Sequence, residues 1–348
     1  MIPSLRIIRE RNHYVMKDNK TLSYLGEFGL IDHISAHASV GKGVVTGIGD
    51  DASVTSLTNG MQLLTSVDML LEDVHFRRSW HAPRLLGRKS LAVSLSDVAA
   101  MGAIPRWAVL GLGIPSSFPL DFIDEYINGF LEIAEEYGVS LIGGDTCLSQ
   151  NGLVISVTIM AEQFPDLVVP RSGAKPGDDI WVTGTLGDAA MALKFLEKSD
   201  SDIKPFPLDK LLDPVPRVTM GRALAEAGLV TAMIDVSDGF LSDYGHIAKQ
   251  SESGGIVYLE RLPISAAFRE SAAFYPDFPY QLALSGGEDY ELIFTASPDN
   301  REKIHLLSKK HGVDVTAVGI VTDSSETMIE APDGVRHLPT QPGYNHFM

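Results

Sequence analysis

A single cysteine, Cys147, is all that the 348 residues contain. No intrachain disulfide can form, and a thiolate-built zinc site is excluded. Beside Gly143-Gly144-Asp145-Thr146 the thiol reads as a small packing residue in a turn, with a nucleophile as the alternative. Basic residues are also scarce: 28 Lys and Arg stand against 45 Asp and Glu, for a net charge of -17. That balance argues against a nucleic-acid backbone as principal partner, because such binding rests on cations that neutralise phosphates. No apolar run approaches the ~20 residues that a bilayer-spanning helix needs. The stretch Met1–Val15 carries Arg6, Arg9 and Arg11 but has no continuous apolar segment and no small-residue cleavage site, so no export signal is read there. The chain is therefore expected in the cytoplasm, without a membrane partner. Two familiar phosphate cradles are missing as well. Gly41-Lys42-Gly43 is too short for a P-loop, and no Gly-x-Gly-x-x-Gly opens a helix. No kinase-type catalytic loop is present either.

What the chain does have is acid beside glycine or serine, six times over: Gly49-Asp50-Asp51, Ser66-Val67-Asp68, Ser96-Asp97, Gly143-Gly144-Asp145-Thr146, Asp235-Val236-Ser237-Asp238-Gly239 and Gly286-Gly287-Glu288-Asp289. Each follows or lies near an apolar run. Carboxylates at such places are poor core material unless a partner or a metal compensates them. Six together point to hard cations, and hard cations point to phosphate chemistry.

The hydrophobic fraction of 45% supports a normal core, and the length suits two domains. Residues 1–21 read as an N-terminal extension, either disordered or preceding a true start at Met16. Residues 22–163 and 164–348 read as two α+β domains joined near the polar run Arg171–Asp178. Apolar spacing predicts helices over 28–34, 84–100, 121–137, 189–195, 216–227 and 240–250. Strands are expected near 44–48, 61–67, 107–114, 139–142, 153–160, 180–183, 256–259, 291–295 and 314–320. Strands and helices interleave without strict alternation, which favours α+β over a doubly wound sheet.

Each candidate has a plainer reading beside it. Asp50 and Asp51 also fit an acidic turn. Ser66 and Asp68 share one face of a strand end. Asp97 lies in an apolar helix, where a solvated cap is the rival. Gly143-Gly144 allows close backbone approach to an anion. Asp238 can cap the helix after Gly239, but capping leaves Asp235 unexplained. Lys89 can lie on the wet face of its helix, His75 can be an ordinary surface or core histidine, and Arg171 a solvated loop residue rather than a phosphate clamp.

The runs Gly47-Ile48-Gly49-Asp50-Asp51-Ala52, Val74-His75-Phe76, Leu95-Ser96-Asp97-Val98-Ala99-Ala100-Met101-Gly102-Ala103-Ile104-Pro105, Gly143-Gly144-Asp145-Thr146, Arg171–Asp178, Asp235–Gly239 and Ser285-Gly286-Gly287-Glu288-Asp289-Tyr290-Glu291-Leu292 resemble, in order, those of the thiamine-monophosphate kinase family. The resemblance runs from about Gly26 to Phe347. It implies the two-domain α+β fold of aminoimidazole-ribonucleotide synthetase, with an N-terminal sheet that dimerises and ATP in a cleft beside it. The implied reaction converts ATP and thiamine phosphate into ADP and thiamine diphosphate, the last step in making that cofactor. Several Mg²⁺ ions are implied, held by Asp50, Asp51, Ser66, the Val67 carbonyl, Asp68, Asp97, Asp145, Asp235 and Asp238. Gly144, Asp145, Arg171 and Ser237 resemble ATP contacts, and His75 and Glu288 substrate contacts.

The chain departs from the family at a few positions. Val67 and Ser94 stand where Thr and Asn are frequent, and Asp73 where Gly is commoner. Gln341 stands where the family often presents an aromatic residue, leaving Tyr344 as the candidate for stacking on the substrate. The rivals are another ATP-dependent enzyme of the same superfamily or a non-catalytic divalent-metal-binding protein. No cysteine near the N-terminus serves selenophosphate chemistry, and no EF-hand loop is present.

Overall fold

In the first half, long apolar strands close into a sheet with one covered face. The computed structural model describes residues 22–48, 52–197, 206–272, 280–339 and 343. Asp50, Asp51, Gln341, Tyr344 and the extension 1–21 lie outside them. Helix α1 (Leu22–His37) leads into a ribbon of β1 (Val44–Thr46) and β2 (Val54–Thr55). Then follow β3 (Gln62–Leu71), α2 (Pro83–Ala100), β4 (Ile104–Ile114), α3 (Leu120–Glu136), β5 (Ser140–Leu148) and β6 (Val154–Gln163). The four long strands lie in the order β3-β6-β4-β5. Only β4 and β5 run parallel, joined by the α3 crossover that a parallel pair requires.

Register sets which side chains share a face. Asp68, Val157, Leu110 and Gly144 form one row across the sheet, and Met69, Ser156, Gly111 and Asp145 form the next. Neighbouring rows point to opposite faces. Val157 and Leu110 are buried, so the first row faces the helices, while Met69 is 54% exposed and its row faces outward.

Helix α2 is the centre of the molecule. From Leu86 to Ala100 nearly every residue is buried, Ser90, Ser94 and Ser96 included. A helix apolar all round must be covered all round. It packs on α3, β3, β4 and β6, and on the other side reaches α6 (Val218–Glu226) and β8 (Ala232–Asp235) of the second half. Two glycines let α2 and α3 cross at backbone contact. A Cβ on Gly87 would lie 1.9 Å from the Tyr126 carbonyl oxygen, and one on Gly129 2.0 Å from that of Arg84.

The second half contains β7 (Asp179–Thr183), α4 (Asp188–Glu197), α5 (Asp209–Leu212), α6, β8, α7 (Phe240–Gln250), β9 (Gly254–Tyr258), α8 (Ala266–Ala272) and α9 (Gln281–Ser285). It ends with β10 (Leu292–Ala296), α10 (Arg301–His311), β11 (Val315–Thr322), β12 (Thr327–Glu330) and β13 (Arg336–His337). Among the described residues the sheet order is β13-β12-β9-β11-β7-β10-β8. Its central strands are buried on both faces. Trp181 and Phe294, stacked at 6.0 Å, join the core beneath the first sheet, while Ile180, Val182 and Ile293 join a second core under α4 and α7. The mixed helix and sheet content is the expected α+β arrangement. Elements not legible in the sequence include β8, only four residues long; α10, which buries a single side chain, Ile304; and the short β12–β13 pair.

Candidate active site

An edge strand, the connection that follows it, two turns and a face of α4 enclose a cleft of ≈ 860 Å³. Its walls come from β3 (Val67, Asp68), the 73–81 connection (His75, Trp80), the β8–α7 turn (Ser237, Asp238) and the α9–β10 turn (Glu288, Tyr290). The two turns interlock. The Glu288 amide donates to the Ser237 carbonyl at 2.8 Å and the Tyr290 amide to that of Val236 at 2.9 Å. A Cβ on Gly287 would sit 2.4 Å from the Ser237 oxygen, so only glycine permits this approach. Glu288 and Tyr290 hold left-handed backbone angles, φ 68° and 49°. Such angles in non-glycine residues persist only where the surroundings enforce them. Asp73, where glycine is commoner in the family, likewise has φ 66°.

Asp238 does not cap α7. Gly239 precedes the helix, and Asp243 in its first turn accepts the amides of Ser237, Asp238 and Gly239 at 3.0–3.1 Å. That single carboxylate holds the turn closed from beneath and leaves Asp238 facing the cleft. Burial, with the nearby Asp238 charge adding to it, raises the Asp243 pKa to about 7 against the pull of these amides.

Three further carboxylates come from three elements: Asp68 lines the cleft, and Asp97 acts electrostatically on both Asp68 and Asp235. Asp68 on β3 accepts the Ser94 hydroxyl at 2.6 Å, Asp97 on α2 accepts the Ser66 hydroxyl, and Asp235 at the end of β8 accepts the Ser96 hydroxyl at 2.7 Å. Burial, and then the charge of Asp97, raises Asp68 to about 6 and Asp235 to about 8. Asp97 is raised by burial too, with the Ser66 hydroxyl and the Arg171 guanidinium acting against it. Tyr290 stands among all of them: burial raises its phenol, followed by the charges of Glu288, Asp68, Asp235 and Asp97. Hydroxyls are weak compensation for three carboxylates, and Arg171 is the cation that acts on Asp97 among the described residues. The donor set is hard oxygen, suited to a divalent cation. Among the described residues, however, no three His, Cys, Asp or Glu side chains close around one point as a complete metal site would.

Asp145 stands apart. It lies on β5, three strand intervals from β3, a separation of about 14 Å. It also projects from the outer face, whereas Asp68 points toward α2. With Gly144 it lines a second, small hollow of ≈ 40 Å³ walled by Ile31, Ile34 and Ile48. Gly144 is needed for strand packing, since a Cβ there would lie 2.2 Å from the Leu110 carbonyl oxygen. Cys147 is not a packed turn residue: it is exposed on β5, because the strand continues to Leu148. Among the ATP-type positions, the cleft includes Ser237, while Gly144 and Asp145 line the small hollow and Arg171 lines neither.

His75 lines the cleft, and its Nδ1 accepts the Leu71 amide at 3.0 Å, which assigns the proton to Nε2. Lys89 is not on a wet face: it is fully buried, with Nζ 2.8 Å from the Leu211 carbonyl oxygen and 3.1 Å from Glu288 Oε2. A lysine inside an apolar stretch with no polar stripe was the available signal. Ser94, a departure from the family in sequence, holds Asp68 across 26 residues, while Asp243 and Tyr290 carry no local signal because their roles depend on a turn and on carboxylates that only the fold brings to them. His81 is buried beside Lys89, and burial, then that charge, lowers its pKa to about 3.

Comparisons with known proteins find relatives over nearly the whole chain. Residues 49–162 match the AIR synthase related protein N-terminal domain, and residues 175–330 the C-terminal domain. Thiamine-monophosphate kinase of Escherichia coli (strain K12) is 36% identical over 329 residues, covering 92% of this chain and 98% of that one. The crystal structure of thiamine-monophosphate kinase from Stenotrophomonas maltophilia K279a superposes with a TM-score of 0.78 at 38% identity, covering 88% and 96%. That of AaThiL complexed with AMPPCP and TMP gives 0.73 at 29%, covering 94% and 99%.

Proposed function

The chain belongs to the thiamine-monophosphate kinase family, ATP-dependent enzymes that phosphorylate thiamine phosphate, and from that premise we propose how its cleft performs the transfer. A phosphate oxygen of thiamine phosphate attacks the γ-phosphorus of ATP in line. The bond from that phosphorus to the bridging oxygen breaks, leaving ADP and thiamine diphosphate. The attacking phosphate is already ionised at neutral pH, so no side chain has to act as a strong base. What remains is positioning and charge.

The observation that carries the reading is that Asp97 acts on both Asp68 and Asp235, three carboxylates from three elements with serine hydroxyls as partners. Carboxylates whose proton affinity is raised by burial and mutual repulsion fit divalent cations. These three would hold Mg²⁺, with Ser66, the Val67 carbonyl, Asp238, Asp50, Asp51 and Asp145 as further ligands. When bound, Mg²⁺ neutralises donor and acceptor phosphates so that two polyanions can approach. Arg171 and Ser237 contact the nucleotide together with Gly144 and Asp145. His75 and Glu288 hold the thiamine part, and Gln341 and Tyr344 complete that end.

Asp145 and Asp68 are on opposite edges and opposite faces of one sheet, so a single copy cannot direct both at one set of phosphates. We therefore propose a homodimer packed through the outward face, where Leu63, Val67 and Met69 are 47%, 61% and 54% exposed. A second copy there covers apolar surface and carries its Asp145 toward the partner's phosphate site. The division at 163/164 would then separate a dimerising, metal-binding domain from a C-terminal one, in a cytoplasmic enzyme. The deciding measurement is ADP release from ATP and Mg²⁺ with thiamine phosphate, thiamine or an aminoimidazole precursor offered in parallel. Release with thiamine phosphate alone is expected; release with a different acceptor, or none, overturns the assignment.

A further inference from the structure

Lys89 is an unusual tenant for the centre of α2. Its side chain has no solvent exposure, and a buried ammonium persists only where it is paired and hydrogen-bonded. Both conditions are met from the second half of the chain: Nζ bonds the Leu211 carbonyl on α5 and Glu288 Oε2 in the α9–β10 turn. The start of the Glu288 side chain is set independently. Its backbone is left-handed, its amide is held by Ser237, and Gly287 abuts the same residue. Lys89 thus fixes the far end of a side chain whose near end is already fixed.

The two carboxylate oxygens differ as a result. Oε2 is taken by Lys89, whereas Glu288 keeps 27% side-chain exposure and lines the cleft, leaving Oε1 as its acceptor there. The aminopyrimidine of thiamine phosphate carries an exocyclic amine, a donor. Its oxo analogue, oxythiamine phosphate, carries a carbonyl acceptor at that position and would face the carboxylate oxygen with like charge.

We propose that Lys89 is a positioning residue for substrate selection: by holding Oε2 it directs Oε1 of Glu288 at the exocyclic amine of the aminopyrimidine. Lys89 touches neither substrate nor nucleotide. Its full burial places it behind Glu288, so it acts only through that residue. The inference rests on the kinase reading and on Glu288 as a substrate contact, and it adds the element that orients that contact and the group on the substrate that is read.

The test compares the wild-type chain, Lys89→Met, Glu288→Gln and the double variant with thiamine phosphate and oxythiamine phosphate. Lys89→Met is expected to raise KM for thiamine phosphate ~10- to 100-fold, the range that a single charge-assisted hydrogen bond commands. KM for ATP should stay within about twofold, and kcat should fall less than KM rises, as loss of ground-state binding requires. Preference over oxythiamine phosphate should drop by a similar factor, a change that general loosening of the fold does not produce. The double variant should be no worse than Glu288→Gln alone. Unchanged KM and preference in folded Lys89→Met, or additive losses in the double variant, overturn the proposal. Lys89→Gln keeps a donor for the Leu211 carbonyl; failure of both Lys89 variants to fold makes the residue structural and overturns it equally. A wild-type chain that leaves thiamine phosphate untouched sinks the kinase reading itself, whereas a selective wild type with a silent Lys89→Met sinks this inference alone.

Discussion

Asp97 carries conflicting demands. It is held by the Ser66 hydroxyl, feels Arg171, and raises the proton affinity of both Asp68 and Asp235. Replacing it with Asn keeps its shape and removes its charge. Turnover of Asp97→Asn is expected to fall by orders of magnitude, while the metal-free protein melts no lower than wild type, as steady-state rates and thermal unfolding in chelator would show. The same carboxylates set a pH dependence. Asp68, Asp243 and Asp235 titrate near 6, 7 and 8 when folded, above the ordinary 3.8, so the folded state binds more protons than the unfolded one between about pH 4 and 8. Stability of the metal-free enzyme therefore falls as pH rises through that window. Glu291, brought below the ordinary range by Arg217, and Glu162, brought below it by the Thr58 amide and then Arg106, work the other way only at lower pH. In chelator, Tm is expected to drop by several degrees from pH 5.5 to 8, and Mg²⁺ should restore more of it at pH 8. A flat or rising profile would contradict the charge cluster.

At the level of elements, α2 joins the two halves. It carries Lys89 to Glu288, Ser94 to Asp68, Ser96 to Asp235 and Asp97 to Ser66, so this helix ties β3, the end of β8 and the α9–β10 turn to one another. Its depth is set by the glycine crossing with α3. In Gly87→Ala the new methyl would meet the Tyr126 carbonyl at 1.9 Å, backbone against backbone, with no side chain able to yield. The expected cost is about 1–3 kcal/mol, read as a lower urea midpoint, with activity lost in proportion to the displaced helix rather than to unfolding. An unchanged midpoint would mean that the two helices can separate freely. Glu291 is a second tie: Arg217 and Lys210 bring α6 and α5 onto the root of β10 through a carboxylate with no exposure.

For the whole molecule, the outward face of the four-stranded sheet remains to be accounted for. Leu63, Val67 and Met69 alternate along β3 on that face, and Asp145 rises from the far edge. Leu63→Glu puts a charge into the proposed dimer interface without touching the core or the lining of the cleft. It is expected to convert a dimer into a monomer in light-scattering chromatography, with an unchanged circular-dichroism spectrum and with most turnover lost. A fully active monomer would remove the need for a second copy.

Much of this was legible in the residues themselves. The apolar spacing of 84–100 and 121–137, the alternation of the long strands and the six acidic signatures predict the helices, the α+β class and the chemistry, because periodicity and turn composition are local properties. The limits are equally local in origin. Lys89 reads as ambiguous because burial depends on what packs around a helix, and the covering α5 and Glu288 lie 122 and 199 residues away. Asp238 reads as a cap because Asp-Gly before an apolar run usually caps, and only the folded turn reveals that Asp243 has taken the amides. The chain order of amino acids thus sets which groups are available: carboxylates, serines, glycines and no competing cradle for phosphate. Which of them face one another was decided by strand register and the passage of α2 between two sheets. Pairing by one residue more or less would turn Asp68 outward and Asp145 inward, and no stretch of sequence records that choice by itself.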